Sequence, residues 1–239
     1  MRYILTEDEA LLLKHKFNFG TLLGLNENKK IKADTEKELL KKGIIYQNND
    51  KEELSTEYRA LFSNWIKMRY SVVRPDLNDK DHLQCLLSNE RVSMFFARKE
   101  ENITIDIFDF SEEKFDKIIV AFAEMKNVKA TESMFNMSMS LEEYNEFVNC
   151  KTHAEFESWK KVMGINAGLL EKYVRYINSE DEGQLLLVED HVNDCGYMAK
   201  IVNKTDGIYA IKHVTYSQYQ KVVMIYGDTQ FVTNSIYNF

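Results

Sequence analysis

The sequence predicts an α+β fold: a central, mostly antiparallel sheet built from two halves related by an approximate two-fold axis, with helices packed on its faces. Three observations predict it. Apolar residues recur at helical spacing behind capping pairs, Thr6 with Glu9 and Ser140 with Glu143. Between these helical stretches lie short apolar runs of strand length, bounded by charged turns. Residues 94–124, MFFARKEENITIDIFDFSEEKFDKIIVAFAE, come back without a gap as residues 198–228, MAKIVNKTDGIYAIKHVTYSQYQKVVMIYGD. Such self-similarity marks a fold made of related units.

Taken in order, Thr6 and Glu9 form a capping box, and Leu11, Leu12, Leu13 and Phe17 supply the buried side of a first helix. Gly20 and Gly24 break it. Asp34 opens a helix over 35–42, closed by Gly43, the residue type that most readily turns left-handed past a helix end. Ile44, Ile45 and Tyr46 lead into a polar loop over 47–53. Ser55 caps a third helix carrying Tyr58, Leu61, Phe62 and Trp65. Met68, Tyr70 and Val72 then alternate with Arg69 and Ser71 in a strand that Pro75 stops. A short helix over 82–87 precedes the first repeat copy.

In both copies an apolar run ends in a charged turn, at 99–102 and at 203–207, and a second apolar run follows. A hydroxyl residue, Ser111 or Thr215, then stands where a helix N-cap is expected. Phe115, Ile118, Ile119 and Phe122 in one copy, and Tyr219, Val222, Val223 and Tyr226 in the other, make the stripe of a helix lying on a sheet. Each copy reads as a hairpin followed by a helix.

Residues 125–139, polar and carrying Met134, Met137 and Met139, join halves of about 1–124 and 140–239 within a single domain spanning 1–239. Ser140 with Glu143 begins a capped segment on the pattern of Thr6. Helices over 152–163 and 166–178 follow, then a turn over 181–183 and a buried strand over 184–192. The second copy leaves a tail, 229–239, with Phe231, Tyr237 and Phe239. A half-sheet of about three strands is marginal by itself, so the halves are expected to share one sheet.

The net charge of −7, with lysines interleaved among acids, argues against nucleic acid, whose binding relies on clustered Lys and Arg. The first residues, MRYILTEDEALLLKHKF, lack the apolar core and cleavage site of a signal peptide. No window approaches the roughly 20 apolar residues of a membrane span. Three cysteines do not make a disulfide framework, so a reducing cytoplasm is expected.

Each cysteine has a histidine nearby: His82 and Cys85, Cys150 and His153, His191 and Cys195. A zinc site or a Cys–His nucleophile would need these segments to converge. There is no CxxC pair, and the pairs do not superpose under the repeat, so they read as unrelated positions. Phosphate-binding and nucleophile-elbow motifs are absent; Gly164 and Gly168 precede a helix with no strand before it. Asp106 and Asp109, with Glu112 and Glu113 beyond, raise a carboxylate cluster. Asp106 reads instead as the solvent-facing member of an alternating strand, and the glutamates as complements of a helix dipole. The expectation is a protein that is not an enzyme and takes no cofactor or metal. Thirteen Tyr, fourteen Phe and two Trp exceed what catalysis needs. Any left exposed would favour a protein-binding surface.

The order of features resembles the EspG-type chaperones of type VII (ESX) secretion. The residues that carry the resemblance are Leu5-Thr6-x-x-Glu9, Leu22-Leu23-Gly24-Leu25, and Glu38-Leu39-Leu40-Lys41-Lys42-Gly43-Ile44, close to that family's E-L-x-x-[RK]-G-[LI]. The hairpin-then-helix used twice also matches. The resemblance implies a cytosolic adaptor that holds a helical PE–PPE- or WXG-type substrate soluble for export. It also implies client contact through the sheet and a loop joining two strands. The corresponding turn is 99–102, which makes Glu100, Glu101 and Asn102 the implied contacts. The Lys- and Asn-rich composition with a single proline departs from actinobacterial members, and a WXG- or LXG-type client fits that departure. A toxin-neutralising immunity protein is the rival reading, and a zinc- or thiol-dependent enzyme a third.

Overall fold

The computed structural model describes residues 1–20, 22, 25–26, 28–49, 51–75, 82–89, 91–179, 182–216 and 219–237. Leu23, Gly24, Asp181 and Phe239 fall outside them, as do the side chains of His82, Glu112, Glu113, Phe115, Tyr219 and Tyr237. The fold is α+β with antiparallel sheet, as expected, and divides into two compact units, Met1–Phe110 and Ser111–Phe239.

The first unit runs β1 (Arg2–Thr6), α1 (Glu7–Lys16), α2 (Thr35–Lys41), β2 (Ile45–Asn48), β3 (Lys51–Leu54), α3 (Thr56–Trp65), β4 (Tyr70–Pro75), β5 (His82–Ser88), β6 (Val92–Lys99) and β7 (Asn102–Asp109). Its sheet has the order β1-β7-β6-β5-β4, every pair antiparallel. Alternation puts Tyr3, Leu5, Ile103, Ile105, Met94, Phe96, Cys85 and Leu87 on one face, against Leu13, Leu39, Leu61, Phe62 and Trp65 from the helices.

The second unit runs α4 (Glu112–Phe122), β8 (Phe135–Ser140), α5 (Leu141–Val148), α6 (His153–Met163), α7 (Ala167–Ile177), β9 (Gln184–Asp190), β10 (Cys195–Lys204), β11 (Gly207–Tyr216), β12 (Tyr219–Gly227) and α8 (Thr229–Tyr237). Its sheet has the order β9-β10-β11-β12-β8, again antiparallel. Val202, Tyr209, Ile211, Val222, Met224 and Tyr226 pack under α5, α6 and α7. Lys212, next along β11, donates to Ser235 O and Ile236 O at the end of α8, so α8 lies on the opposite face.

The two units share a connection order, at an offset different from the one expected. In each, a strand ends on the hydroxyl residue of a capping box (Thr6 with Glu9, Ser140 with Glu143). Helices follow, then a four-strand meander whose last strand pairs with the first strand of the unit. This sets β6 and β7 against β11 and β12, whereas the 94–124 and 198–228 alignment set them against β10 and β11. The expected helix over Tyr219, Val222, Val223 and Tyr226 is therefore strand β12, and Thr215 lies within β11 rather than at an N-cap. The physical reason is burial on both faces: Val222, Val223, Met224, Ile225 and Tyr226 are all interior. A continuous apolar run of this kind satisfies helical spacing by accident.

Four further expectations are corrected. The helix over 82–87 is β5, hydrogen-bonded to β4 and β6, with Cys85, Leu86 and Leu87 all buried. The polar loop over 47–53 is the β2–β3 hairpin, laced by Gln47 to Glu52, Asn48 to Glu53 and Tyr46 to Glu53. The join over 125–139 contributes most of β8, which pairs with β12. The tail is α8, where the Asp228 carboxylate accepts from Phe231 N at 2.8 Å.

Candidate partner-binding site

Val92–Lys99 and Asn102–Asp109 alternate as strands and meet in a tight turn, with Lys99 paired to Asn102. Glu100 takes the left-handed conformation there, with φ +55°, and both Glu100 and Glu101 are exposed. Asn102 is also exposed and pairs with Thr6 of β1. The three residues expected to meet a partner thus form one projecting acidic tip.

The tip is anchored from behind by the start of α1. Glu7 N donates to Glu101 O at 2.9 Å. Lys32 Nζ donates to both Glu101 carboxylate oxygens, at 2.7 and 2.6 Å. Arg98 Nη1 reaches Glu7 Oε1 at 3.0 Å. Glu7, Asp8 and Glu9 are all buried, an arrangement that ordinarily calls for paired charges. Here the partners are supplied. Lys29 lies 3.2 Å from Glu7 and 3.1 Å from Asp8, and Lys42 lies 2.7 Å from Glu9. Asn26 N donates to Glu7 and Lys32 N to Asp8. The positive end of the helix dipole supports all three acids.

Burial alone would raise the Glu7 carboxyl, but the Asn26 amide, Lys29 and Arg98 outweigh it, and the group titrates below the ordinary carboxylate range. A lowered folded value means stability that is present above the unfolded value of about 4.3 and is lost as pH falls through the folded value. We expect Glu7→Gln to destabilise the protein by about 2 kcal/mol at pH 7. That gap should narrow between about pH 5 and pH 3 in urea titrations of the two proteins. A gap that stays constant over that range would show that Glu7 is not the titrating anchor.

The other sequence candidates are dispersed. Asp106 is half-buried and takes a two-pronged bond from Arg2, at 2.9 and 2.8 Å, and hydrogen bonding to Arg2 holds its carboxyl below the usual range. Asp109 is exposed at the end of β7. Cys85 is buried in the sheet, and Cys150 and Cys195 are half-buried. Burial pushes the Cys150 thiol up, away from a reactive thiolate. His153 faces Glu157 and Glu171 across the surface of α6 and α7. Among the described residues, no group of three or more His, Cys, Asp or Glu comes together as a metal site, and no helix is long and apolar enough to cross a membrane.

Sequence reasoning found the acidic turn and missed its anchor. Lys32 and Glu101 are 69 positions apart, Arg98 and Glu7 91 apart, and no local pattern reports such pairs. The one signal was the Glu7-Asp8-Glu9 run itself, denser than capping requires.

No protein-family model and no curated protein matches the sequence. Among solved structures, the chain is similar to the Mycobacterium tuberculosis type VII secretion system chaperone EspG5, determined in complex with the PE25–PPE41 dimer. The likeness has a TM-score of 0.64 at 12% identity and covers 99% of this chain and 94% of that one. At that identity it establishes a common fold.

Proposed function

We propose that this protein is a cytosolic, non-enzymatic secretion chaperone that captures a helical type VII substrate and keeps it soluble for export. The observation that carries the reading is the end-to-end likeness to a chaperone caught with its PE–PPE dimer. The motifs at Leu5–Thr6–Glu9 and at Glu38 to Ile44 point the same way. In this reading the whole chain, 1–239, acts as one client-binding domain. The client is a PE–PPE-, WXG- or LXG-type protein, and Glu100, Glu101 and Asn102 touch it.

The anchored tip suits this role. A turn already held by Glu7 and Lys32 loses little freedom on docking, which lowers the cost of association. Its charge sets register and partner choice more than affinity. We expect Glu100→Lys with Glu101→Lys to weaken client capture about tenfold. The melting temperature should stay within about 2 °C, because an exposed ion pair such as Lys32–Glu101 contributes little to stability. Affinity purification of the tagged chain from its native cell, with both variants in parallel, is the test. A helical secretion substrate that co-purifies with the wild type and is lost from the double variant supports the proposal. Unchanged capture removes the tip from the contact, and recovery of a toxin domain whose activity is blocked replaces the chaperone reading altogether.

A further inference from the structure

One row of side chains in the second unit crosses five strands in direct register: Met139, Val222, His213, Met198 and Leu187. The first three members are covered. Met139 and Val222 lie in the core, and the Tyr144 ring of α5 stands edge-on to His213 at 5.7 Å. The helical cover stops there. Met198 and Leu187, on the same face, are 40% and 37% exposed. A buried apolar surface thus runs on into solvent without a change of strand or face.

The next row toward the β9–β10 turn is Thr215, Gly196 and Glu189. Gly196 has no side chain, and a Cβ there would sit 2.8 Å from Val188 O. The surface is therefore concave beside Leu187, and a cavity of about 360 Å³ opens there, lined among others by Leu187, Glu189, Asp194, Gly196 and Thr215. On the other side, Lys200 bounds the patch with its ammonium turned into the end of α7, donating to Ile177 O at 2.8 Å.

On the hairpin side the rim is acidic, with His191 lying 3.6 Å from Glu189 as its one basic side chain. From Gly183 to Ala199 the chain has Glu189, Asp190 and Asp194 and neither Lys nor Arg. Asp190 is buried and shapes the turn, accepting from Val192 N and Asn193 N. Glu189 and Asp194 are exposed. Such a rim repels nucleic acid and anionic membrane and attracts a cation. Because a sheet face offers side chains and no backbone pairing, the fitting partner brings side chains too, as an amphipathic helix does.

We propose that the open face of the β9–β10 hairpin docks a cationic amphipathic helix, whose apolar ridge seats on Leu187 and Met198 and whose Lys or Arg residues meet Glu189 and Asp194. The helical form of the partner rests on the chaperone reading above. The surface itself does not.

The test uses the full chain and two labelled peptides of about 18 residues, one with a Leu ridge flanked by Lys, the other with the same ridge flanked by Glu. Fluorescence anisotropy should show the Lys peptide binding at least about tenfold more tightly than the Glu peptide, and weakening as salt rises to about 0.3 M. Leu187→Asp with Met198→Asp should lower affinity for the Lys peptide about tenfold, as should Glu189→Lys with Asp194→Lys. Two controls guard against general attraction to an acidic protein. Val162→Asp alters a side chain 76% exposed on α6, and Glu142→Lys with Glu146→Lys reverses exposed acids on α5. Both should leave affinity within about twofold. All variants keep exposed positions exposed and should melt within about 2 °C of the wild type. Failure of the Lys peptide to bind, or equal losses in the control variants, overturns the proposal. If the peptide docks as stated and no secretion substrate is captured in cells, the surface stands and the chaperone reading falls. If a substrate is captured and Leu187→Asp with Met198→Asp disturbs neither capture nor peptide binding, the reverse holds.

Discussion

Gly207→Ala is expected to destabilise the protein by about 3 kcal/mol and lower its melting temperature by about 10 °C. Gly207 opens β11 with φ +152°, a conformation that side-chain-bearing residues rarely adopt. An added Cβ would also lie 2.4 Å from Cε2 of Tyr226. The ring cannot step aside, because it packs on Tyr209 and Phe135, with centroids 4.9 and 5.9 Å away. Its hydroxyl donates to Asp206 O and accepts from Glu132 N. Asp206 in turn is held by Lys172 at 2.9 Å and by Tyr209. Backbone strain and steric overlap therefore add. Gly20→Ala is the natural comparison: nothing lies within 4 Å of its added Cβ, and a shift under about 0.5 kcal/mol is expected. Thermal melts of the two variants side by side decide the matter, and similar melting temperatures would mean that Tyr226 yields.

The second large effect belongs to Trp65→Ala, for which we expect a loss of about 3–5 kcal/mol. Trp65 is 1% exposed, at the end of α3. It lies between Phe62 and Phe96, with ring centroids 5.8 and 5.7 Å away, and Phe62 stacks on Phe19 at 4.7 Å. Removing the indole opens a cavity where helix meets sheet, and the neighbouring rings are themselves pinned, so little of the void can close. Trp65→Phe should retain much of the packing and lose less. Urea denaturation of both variants measures the difference, and a cost below about 1 kcal/mol for alanine would contradict the packing described.

The aromatic surplus illustrates how far such reasoning reached from sequence. Part of it forms two core clusters, Phe62–Trp65–Phe96 and Tyr173–Tyr209–Tyr226. Tyr46, by contrast, is 42% exposed on the β2–β3 hairpin. Phe231, in the tail after the second copy, is half-buried in α8 with its ring against Gly227.

The candidate contact followed the same division. That Glu100 and Glu101 occupy a tight turn between two strands was legible, because an alternating run on each side of a charged pair leaves few alternatives. That the turn is clamped by Lys32 and the buried acids of α1 was not. Nor was the exposure of Leu187 and Met198, which depends on where the covering helices stop.

By itself the sequence determined what local chemistry settles. The capping boxes at Thr6 and Ser140 form as expected, a third forms at Thr152, and Gly43 and Gly164 turn left-handed at helix ends. Each needs only hydrogen bonds or dihedral preferences within about four residues. The tertiary structure alone decided whether the apolar run at β12 became helix or strand, and which runs became partners. A strand's hydrogen bonds go to residues as far away as Asp106 is from Arg2, and an apolar stretch buried on both faces carries no period that distinguishes the two. Only once the neighbouring strands were in place did one answer pair the backbone of β12 on both its edges.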